Sequence, residues 1–444
     1  MKLLNKKLIA VIVLSVTMMG LISGCTAAKN NTVNTETVSN SNKAPVEIEF
    51  WYGLGGKLGE NMVQKIKEFN ESQKEVVVKG VAQGSYTETY QALQAAIASK
   101  KAPAAVLLNN VQMNSLGSKK VLAPLDDFIS KDKNFNSEDF IPSFYNQGKI
   151  NGKIYSLPMY GTTQVMYYRK DYLESAGIKP EDLKTWEDVF SASKKLRKTN
   201  GNEVSVYGFE PMWGPENLTD MALSKGGKII SEDGKNVLID SNEWIDTWES
   251  IRKAIHEDKT MRIHSGGQGW EYWYATIDDV MKDRAAGYLG SSGDQGDLDF
   301  SKIVAAPQPG WNGHAATPIA EALTVSIPAV TDKDKQEAAF KWMKFFTSAE
   351  KTADWSIKTG YIAVRKSAEE APVFKEFAKT HPQILVPIAQ AKTASSAFVD
   401  PTGGKISDAL KKAADKVEIQ NINAAQALKE AKEEAQAALN AASK

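Results

Sequence analysis

The sequence predicts an α/β fold in which parallel strands alternate with helices. The order of elements carries this prediction, because three β-rich segments between residues 46 and 108 are separated by two amphipathic helical segments. This order favours a parallel sheet with helices on both faces. Composition agrees, since 42% hydrophobic and 24% charged residues are typical of a globular protein, and 444 residues suffice for two or three domain-sized units.

Each element of this first part has its own periodicity. Apolar and polar residues alternate over 46–52, which is typical of a strand with one buried face. In both helical segments apolar residues recur every three or four positions and form one face. The predicted elements are, in order, strand 46–52, helix 58–72, strand 76–82, helix 86–99 and strand 104–108.

The later part of the chain is less regular and becomes helical towards its end. From residue 333 onward the pattern is mostly helical, and the final Ala-, Glu- and Lys-rich helix has one apolar stripe, which predicts a surface helix docked on the body. The predicted elements here are helix 186–198, strand 204–209, a helix carrying Trp244 and Ile255, strands 285–289, 303–306 and 323–327, and helix 424–442.

The first 24 residues predict a signal peptide. Three lysines precede an apolar run over residues 8–22, which is shorter than the roughly 20 residues that span a bilayer. Small residues then lead to Cys25, and this ending resembles the bacterial lipobox, in which the cysteine sulfur receives a diacylglycerol. The alternative is an ordinary signal peptide followed by a cysteine that carries no lipid.

Residues 25–45 predict a lipidated cysteine followed by a flexible tether. Eleven of the twenty residues 26–45 are Asn, Ser or Thr, a composition that cannot bury a core. We therefore expect an extracytoplasmic protein that is lipid-anchored to the outer face of the bacterial cell membrane. Removing residues 1–24 takes away three lysines and no acid, so the net charge changes from +0 to −3.

Several classes of function are disfavoured by the residue counts. The balanced charge gives no footprint for nucleic acid. A single cysteine excludes both an intramolecular disulfide and a thiolate zinc site, and none of the four histidines pair at i and i+4. We expect no cofactor, no metal and no enzyme activity, although 54 carboxylates leave a glycosidase-like pair open.

Aromatic residues beside turns are the positive signal for binding. The chain has 10 Trp and 14 Tyr, and several lie next to glycine. Flat aromatic faces suit sugar rings, while flanking carboxylates and amides suit hydroxyl groups. For any one of these residues, packing in a local core is the alternative. The segments concerned are Trp51-Tyr52-Gly53, Met212-Trp213-Gly214, Trp270-Glu271-Tyr272-Trp273 and Gly310-Trp311-Asn312.

Six motifs, in their order and spacing, give a resemblance to a known family. The motifs are Glu49-Phe50-Trp51-Tyr52, Lys101-Ala102-Pro103-Ala104, Asn151-Gly152-Lys153-Ile154-Tyr155-Ser156-Leu157-Pro158, Val165-Met166-Tyr167-Tyr168-Arg169-Lys170-Asp171, Lys184-Thr185-Trp186-Glu187-Asp188 and Lys358-Thr359-Gly360-Tyr361. With them the mature chain resembles the family 1 extracellular solute-binding proteins of bacterial ABC importers.

The resemblance implies a periplasmic-binding-protein-like fold of type II, with two lobes, each a mostly parallel sheet flanked by helices, and a hinged cleft. Lobe 1 would comprise 46–165 plus 326–384, and lobe 2 would comprise 167–325 plus 385–444. The chain would cross between them near 165–168, 323–326 and 385. The implied partners are a small carbohydrate or polyol ligand and the permease subunits of an ABC importer, with the binding protein itself a monomer.

The family's ligand contacts transfer to individual positions. Similarity to glycerol-3-phosphate-binding members places ligand tyrosines at Tyr86 and Tyr361, and an acidic position of the family falls on Asn110. Ligand hydroxyl groups fall at Thr162 and at Ser291 or Ser292. The region 395–404, where those members have a phosphate-binding arginine, contains none. A neutral sugar is therefore favoured over a phosphate.

A second similarity, to maltose-binding proteins, covers residues 209–213. It places a hydroxyl acceptor at Glu210 and a ring-stacking residue at Trp213. Glu321 is a further acceptor candidate, for which a surface or hinge-side carboxylate is the alternative.

The predicted function is therefore that of a substrate-binding lipoprotein of an ABC importer. It would capture a sugar or oligosaccharide between its lobes by hinge closure and deliver it to the permease. A glycerol-3-phosphate or glycerophosphodiester importer component is the first alternative. A surface-anchored polysaccharide hydrolase is the second, and an adhesin or signalling partner without a closed cleft is the third.

Overall fold

The structure is a computed structural model that describes residues 44–442. The predicted signal peptide, the lipidation of Cys25 and nearly all of the predicted tether lie outside the described residues. Within the described range, no helix is both long and apolar enough to cross a bilayer.

Most strands belong to one large sheet, and two short hairpins stand apart from it. The strands of the described chain are β1 (Val46–Tyr52), β2 (Val76–Ala82), β3 (Ala105–Leu108), β4 (Lys149–Ile150), β5 (Lys153–Ile154), β6 (Ser156–Arg169), β7 (Lys198–Asn200), β8 (Glu203–Val206), β9 (Glu210–Pro211), β10 (Gly287–Ser291), β11 (Ile303–Ala306), β12 (Ile319–Ser326) and β13 (Ser395–Ser396).

Helices connect these strands and make up most of the chain after β12. The α-helices of the described chain are α1 (Gly56–Ser72), α2 (Tyr86–Ala98), α3 (Asn110–Ser118), α4 (Asp126–Lys131), α5 (Pro142–Tyr145), α6 (Lys170–Ser175), α7 (Trp186–Leu196), α8 (Pro215–Ser224), α9 (Asn242–His256), α10 (Glu271–Met281), α11 (Lys333–Phe346), α12 (Ala349–Thr359), α13 (Lys366–Glu370), α14 (Pro372–Thr380), α15 (Leu385–Ala391), α16 (Lys405–Glu418) and α17 (Ala424–Ala442).

The predicted α/β fold and its parallel start are confirmed. Strands β1, β2, β11 and helix α17 have the predicted bounds, and the other elements differ by a few residues. β1 pairs in parallel with both β2 and β3, as the strand–helix–strand order requires. Later strands add antiparallel pairs, because β12 runs opposite to its neighbours β3 and β6.

Local capping explains where helices next to the main sheet begin. The Ser85 hydroxyl accepts the N–H of Glu88 at the start of α2 (3.2 Å). The Asn109 side chain and Gln112 form a capping box at the start of α3. Both caps follow the carboxyl ends of strands β2 and β3, so both helices start at the same edge of the sheet.

The long strand β6 joins the two halves of the sheet, whose path is β2-β1-β3-β12-β6-β10-β9. Its first part pairs with β12 as far as Thr163, which lies opposite Ala320. From Gln164, which lies opposite Ser291, it pairs with β10 instead. The chain therefore changes sides at Thr163–Gln164, directly before the predicted crossing at 165–168.

Buried side chains form two main cores, which define two lobes. The first core contains residues of β1–β3, β12, α11, α12 and α14, with Phe50 and Trp342 among the fully buried side chains. The second is built on the other side of the β6 crossing from α7, α8, α9, α16 and α17, around Trp244 and Trp248. We call these the first and second lobe. They belong to one compact unit.

Two predicted lobe boundaries differ from the positions of the cores. The sequence placed 167–325 in lobe 2, but Ala322 and Leu323 pack in the first core, because β12 pairs with β3 and β6 of the first lobe. The third crossing was expected near 385. Ala394 still packs against the first core, and Phe398 packs against the second. The chain therefore crosses from the first lobe to the second between these two residues.

The C-terminal helices α16 and α17 pack on each other and on α9. Leu428, Ala435 and Leu439, the apolar stripe of α17, are buried in the second core, as expected for a docked helix. Helix α16 also places Lys411 at the space between the lobes.

Candidate ligand-binding cleft

A cavity of about 440 Å³ lies between the two lobes. The first lobe contributes the segments that follow β1 and β2, represented by Leu54 and Ser85, together with Tyr361. The second lobe contributes the segment that precedes α8 and the start of α10. Ligands of open α/β sheets bind at such carboxyl ends of strands, and the volume is in the range of small-molecule sites.

Hydroxyl groups gather on the floor of the cleft, where β6 crosses. The Tyr86 and Tyr160 hydroxyls lie 3.0 Å apart, and the rings of Tyr160 and Tyr361 stack with centroids 4.4 Å apart. On the same strand, the Thr162 hydroxyl lies 3.2 Å from that of Ser291. The floor therefore offers several hydroxyl donors and acceptors from both lobes.

Two carboxylates face this floor in different settings. Glu321 is the cross-strand partner of Thr162, and burial together with the nearby Glu216 raises the pKa of Glu321 to about 7. Asp294 accepts the indole N–H of Trp273 (2.8 Å) and the hydroxyl of Tyr288 (3.2 Å). Its burial raises the pKa of Asp294 to about 8. Both groups are strong hydroxyl partners in either protonation state.

Acidic residues outnumber basic residues in the lining of the cleft. Among the described residues that line it, Lys411 is the one basic side chain and no arginine is present. Such a lining is poorly suited to an anion, because no bidentate guanidinium faces the cavity. The acidic side chains of the lining are Glu88, Glu216, Asp294, Asp297 and Glu321.

Aromatic side chains form the walls. Trp213 stands edge-to-face with Tyr272, with ring centroids 5.1 Å apart, and its indole N–H donates to Asp415 of α16 (2.7 Å). Trp270 stands edge-to-face with Tyr86 of the first lobe at 5.6 Å. The aromatic residues of the lining are Tyr86, Trp213, Trp270, Tyr272, Trp273, Tyr274 and Tyr361.

The two lobes also touch each other directly along this wall. The Trp270 indole N–H donates to the carbonyl oxygen of Gly53 (3.0 Å), and the Lys57 ammonium donates to the carbonyl oxygen of Gly296 (2.9 Å). The backbone of Gly269 lies so close to Gly84 that a methyl group at position 269 would stand 2.8 Å from its carbonyl oxygen. The structure therefore shows the cleft closed along the wall that carries Trp270.

Six of the nine ligand-binding residues predicted from the sequence line the cleft, and their binding role stays a prediction. They come from both lobes, up to 275 positions apart in the chain. The six residues are Tyr86, Thr162, Trp213, Ser291, Glu321 and Tyr361.

Two of the other three lie just behind the lining. Asn110 is fully buried inside α3, where its amide faces Gln147 and Asn114. Its neighbour Asn109, the cap of that helix, lines the cleft instead. Ser292 is fully buried, 3.5 Å from the Thr162 hydroxyl, because the chain turns into a short 3₁₀ helix there.

Glu210 lies outside the cleft lining and takes part in a buried ion cluster. The Arg262 guanidinium donates to its carboxylate (3.0 Å) and also pairs with Asp279, which accepts from His264 (2.7 Å). Burial raises the pKa of Glu210 to about 8. Glu210 thus lies in the interior of the second lobe. Met212, two residues later, lines the cleft.

The same cluster has donor atoms at metal-ligand spacing. Oxygen and nitrogen atoms of Glu210, His264 and Asp279 lie within 4.8 Å of one another. Arg262 bridges both carboxylates, and Arg284 pairs with Asp279 as well. Guanidinium groups therefore already balance the negative charge that would attract a cation.

Several lining residues were absent from the predicted site. Trp270, Tyr272 and Trp273 were recognised as aromatic residues beside turns, but nothing in their spacing places them opposite Tyr86. Glu216 and Asp294 had no signal of their own among 54 carboxylates. Their position depends on the starts of α8 and of the 3₁₀ helix after β10, which are determined by packing between segments distant in the chain.

Comparison with known sequences identifies the class of protein. The profile of the bacterial extracellular solute-binding proteins matches residues 64–383. The chain belongs to this family, whose members bind a solute outside the cytoplasm and deliver it to an ABC importer.

Individual relatives share about a quarter of their residues with this chain. The chain is 24% identical over 371 residues to the sn-glycerol-3-phosphate-binding periplasmic protein UgpB of Yersinia pestis bv. Antiqua (strain Antiqua). The alignment covers 78% of this chain and 81% of the relative. The chain is 23% identical over 336 residues to the UgpB protein of Salmonella typhimurium, covering 74% and 76%.

Solved structures show the same fold. UgpB from Mycobacterium tuberculosis in complex with glycerophosphocholine superposes with a TM-score of 0.77 at 20% identity, over 90% of this chain and 99% of that one. The substrate-binding protein Lmo0181 from Listeria monocytogenes in complex with cycloalternan also gives 0.77, at 22% identity over 89% and 99%. The fold is that of the type II periplasmic binding proteins.

Proposed function

We propose that this protein captures a neutral sugar or oligosaccharide in its cleft for an ABC importer. The observation that carries the proposal is the lining itself, which combines seven aromatic rings with five carboxylates and a single lysine among the described residues. Aromatic faces stack on the apolar faces of sugar rings, and carboxylates accept hydrogen bonds from sugar hydroxyls.

The helix ends around the cleft argue further against a phosphate. A helix N-terminus binds anions when its N–H groups are free. Here the Ser85 hydroxyl already accepts the Glu88 N–H at the start of α2. At the start of α8, the Gly214 N–H already donates to the Glu418 side chain at 3.1 Å. An anionic ligand would have to displace these partners.

The named relatives support the competing proposal. UgpB proteins are named for binding sn-glycerol-3-phosphate, and a solved UgpB structure contains glycerophosphocholine. In this chain Lys411 is the one basic residue of the described lining, and it is exposed on α16. A glycerophosphodiester whose charged phosphate lies near Lys411 is therefore the second candidate.

Capture would follow from a shift between open and closed forms. A ligand that contacts both lobes only in the closed form stabilises that form by its differential affinity. Micromolar affinity corresponds to about 8 kcal/mol, which a few stacked rings and buried hydrogen bonds supply. The closed form would then be recognised by the permease subunits.

The site of action follows from the N-terminal sequence. We propose that Cys25 carries the lipid that holds a monomeric binding protein at the outer face of the cell membrane, since a diacylated cysteine provides the two acyl chains that stable anchoring needs. Mass spectrometry of the protein from bacterial membranes tests this directly. A Cys25 thiol without lipid would contradict it.

A thermal-shift screen tests the ligand class. Maltotriose, cellotriose, glycerol-3-phosphate and glycerophosphocholine are compared, because a ligand of the folded state raises stability by RT ln(1 + [L]/Kd). We expect an oligosaccharide to give the largest shift. A shift with glycerol-3-phosphate and none with the sugars would overturn the proposal, and release of shorter sugars from purified protein would indicate a hydrolase.

Trp213→Ala tests the site. If Trp213 stacks on a sugar ring, its loss should weaken the best carbohydrate hit by tenfold or more, about 1.4 kcal/mol. Trp51→Ala is a suitable control, since Trp51 is a partly exposed residue of β1 outside the cleft lining. Equal affinity of the Trp213→Ala variant and the wild type would remove Trp213 from the site.

A further inference from the structure

The orientation of Trp213 is determined by a helix near the end of the chain. Its indole N–H donates to the Asp415 carboxylate at 2.7 Å, and Asp415 lies 202 residues later, in α16. A hydrogen bond from an indole to a carboxylate is charge-assisted and directional. Because the indole has a single N–H, this bond determines which way the ring turns about its side-chain torsions.

The backbone next to Trp213 is held by the same helix. The N–H of Gly214 donates to the Glu418 carboxylate at 3.1 Å. Gly214 has φ of +119°, a conformation that glycine adopts readily and other residues avoid. Glu418 is 1% exposed, one turn of helix after Asp415, so both contacts come from one face of α16.

The opposite side of the ring is held by the second lobe's aromatic wall. Tyr272 meets the Trp213 ring edge-to-face, at 5.1 Å between centroids and 86° between planes. Tyr272 is in turn next to Trp270, at 6.4 Å. Trp213 is therefore held between α16 and α10, with the rest of its surface facing the cleft.

Packing of α16 alone does not explain Asp415 and Glu418. The helix is already anchored in the second core by apolar side chains such as Leu410 and Val417. A buried carboxylate adds a desolvation cost, and one oxygen of Glu418 has no hydrogen-bond partner. The contacts that Asp415 and Glu418 do make are both directed at the Trp213–Gly214 segment.

We propose that Asp415 and Glu418 are positioning residues of the binding site, which hold Trp213 in the orientation that stacks on a sugar ring. The C-terminal helical pair α16–α17 is then part of the recognition apparatus and not only a cover for the second core. This inference rests on the proposed carbohydrate function.

The first test observes the ring without any ligand. The full chain is labelled with ¹⁵N on tryptophan indoles, and Trp213→Phe identifies the Trp213 cross-peak. In Asp415→Leu we expect that cross-peak to move upfield and broaden, while Asp415→Asn, whose side-chain oxygen still accepts the N–H, keeps it sharp. Asp408→Leu, an exposed position of the same helix, is the control. An unmoved, sharp peak in Asp415→Leu overturns the inference.

The second test measures affinity for maltotriose and cellotriose. Asp415→Leu should weaken the tighter of the two at least fivefold, and Asp415→Asn should restore it to within twofold of the wild type. In a Trp213→Phe background, which lacks the N–H, Asp415→Leu should have no further effect. Glu418→Gln, which still accepts the Gly214 N–H, should stay within twofold.

The outcomes separate this inference from the proposed function. If Asp415→Leu weakens binding equally in both backgrounds, the helix acts through general stability and the positioning role is wrong. If the variant loosens the ring but affinity is unchanged, the role is also wrong, while the carbohydrate function stands. If neither sugar binds the wild type, the proposed ligand class fails, and the indole spectra still decide whether Asp415 holds Trp213.

Discussion

The indole N–H of Trp270 donates a 3.0 Å hydrogen bond to the backbone carbonyl of Gly53, which lies 217 residues earlier and in the other lobe. The Trp270 ring also meets Tyr86 of the first lobe edge-to-face. One residue of the second lobe thus lines the cleft and ties the lobes together. Contacts of this kind exist only in the closed form, so they add to its stability relative to an open one.

Trp270→Phe should accelerate ligand release. The variant keeps an aromatic ring but loses the bond to Gly53, and one such hydrogen bond contributes about 1 kcal/mol. We expect the dissociation rate of the best carbohydrate hit to rise about fivefold, by conversion of that energy, as measured by surface plasmon resonance. The association rate should change little, because the encounter precedes closure.

Trp311→Phe is the matched control for that experiment. Trp311 also donates its indole N–H to a backbone carbonyl, that of Met221 at 2.9 Å, but both residues belong to the second lobe. It should lower thermal stability and leave the dissociation rate unchanged. A similar increase in the rate for both variants would mean that Trp270 acts through stability of its lobe and not through closure.

Gly269→Ala should hold the cleft open. A methyl group there would stand 2.8 Å from the Gly84 carbonyl oxygen of the first lobe, and a backbone atom cannot move aside as a flexible side chain does. We expect tenfold weaker carbohydrate binding and a larger radius of gyration in the presence of sugar, measured by small-angle X-ray scattering.

Gly266→Ala separates this clash from backbone strain. Gly266 has φ of +77° and Gly269 has φ of +56°, so alanine is strained at both positions, but nothing lies within 4 Å of a methyl group at 266. Gly266→Ala should therefore bind and close as the wild type does. If both variants lose affinity alike, the contact between Gly269 and Gly84 does not limit closure.

Stability should fall as the pH rises from 5 to 8, in part because of Asp294. Burial raises the pKa of Asp294 to about 8, whereas an aspartate in an unfolded chain ionises near pH 4. The folded state therefore holds more protons than the unfolded state between these values, and stability decreases as the pH rises through that window. Asp294→Asn should reduce the fall in the urea midpoint.

Asp299→Asn is the control for the pH experiment. The hydroxyl of Ser301 donates to Asp299 and lowers the pKa of this exposed carboxylate. A lowered pKa affects stability only below the unfolded value, so this variant should keep the wild-type slope between pH 5 and 8. An unchanged slope in Asp294→Asn would show that this carboxyl group is ionised throughout the range.

Lys65→Met should destabilise the first lobe by about 2 kcal/mol, the scale of a buried hydrogen bond to a charged group. The Lys65 side chain is 1% exposed, and its ammonium pairs with Asp354 and with Glu68 (3.1 Å). The contact with Asp354 joins α1 to α12, the helix that ends just before Tyr361. Urea unfolding measures the loss, and Lys67→Met, an exposed neighbour, should change stability by less than about 0.5 kcal/mol.

Local sequence patterns were sufficient to predict most of the helices and strands. The alternation in 46–52 and the helical periodicity of 424–442 predict β1 and α17 with the bounds that the structure has. Both signals depend on which side of an element is buried, and the order of apolar and polar residues over a few neighbouring positions shows that side. The length of β6 was not predicted, because a strand that is buried along nearly all its length, on both sides of a crossing, has no alternation to mark its ends.

The sequence predicted part of the cleft lining, because the resemblance to the family places residues at Tyr86 and Tyr361, and both line the cavity. Their role in ligand binding stays a prediction. Glu210 fitted a motif but pairs with Arg262 in the interior of the second lobe. No local pattern indicates which partner a carboxylate will find 52 residues away.

The sequence alone determined the family, the α/β class, the expected N-terminal signal and the aromatic character of the binding surface, because each is carried by composition or by short motifs. Only the tertiary structure decided which aromatic residues meet across the cleft, that no arginine among the described residues lines it, and that the Trp213 indole N–H donates to Asp415. These are relationships between residues about 200 positions apart, and only the packing of lobes and helices brings them within hydrogen-bonding distance.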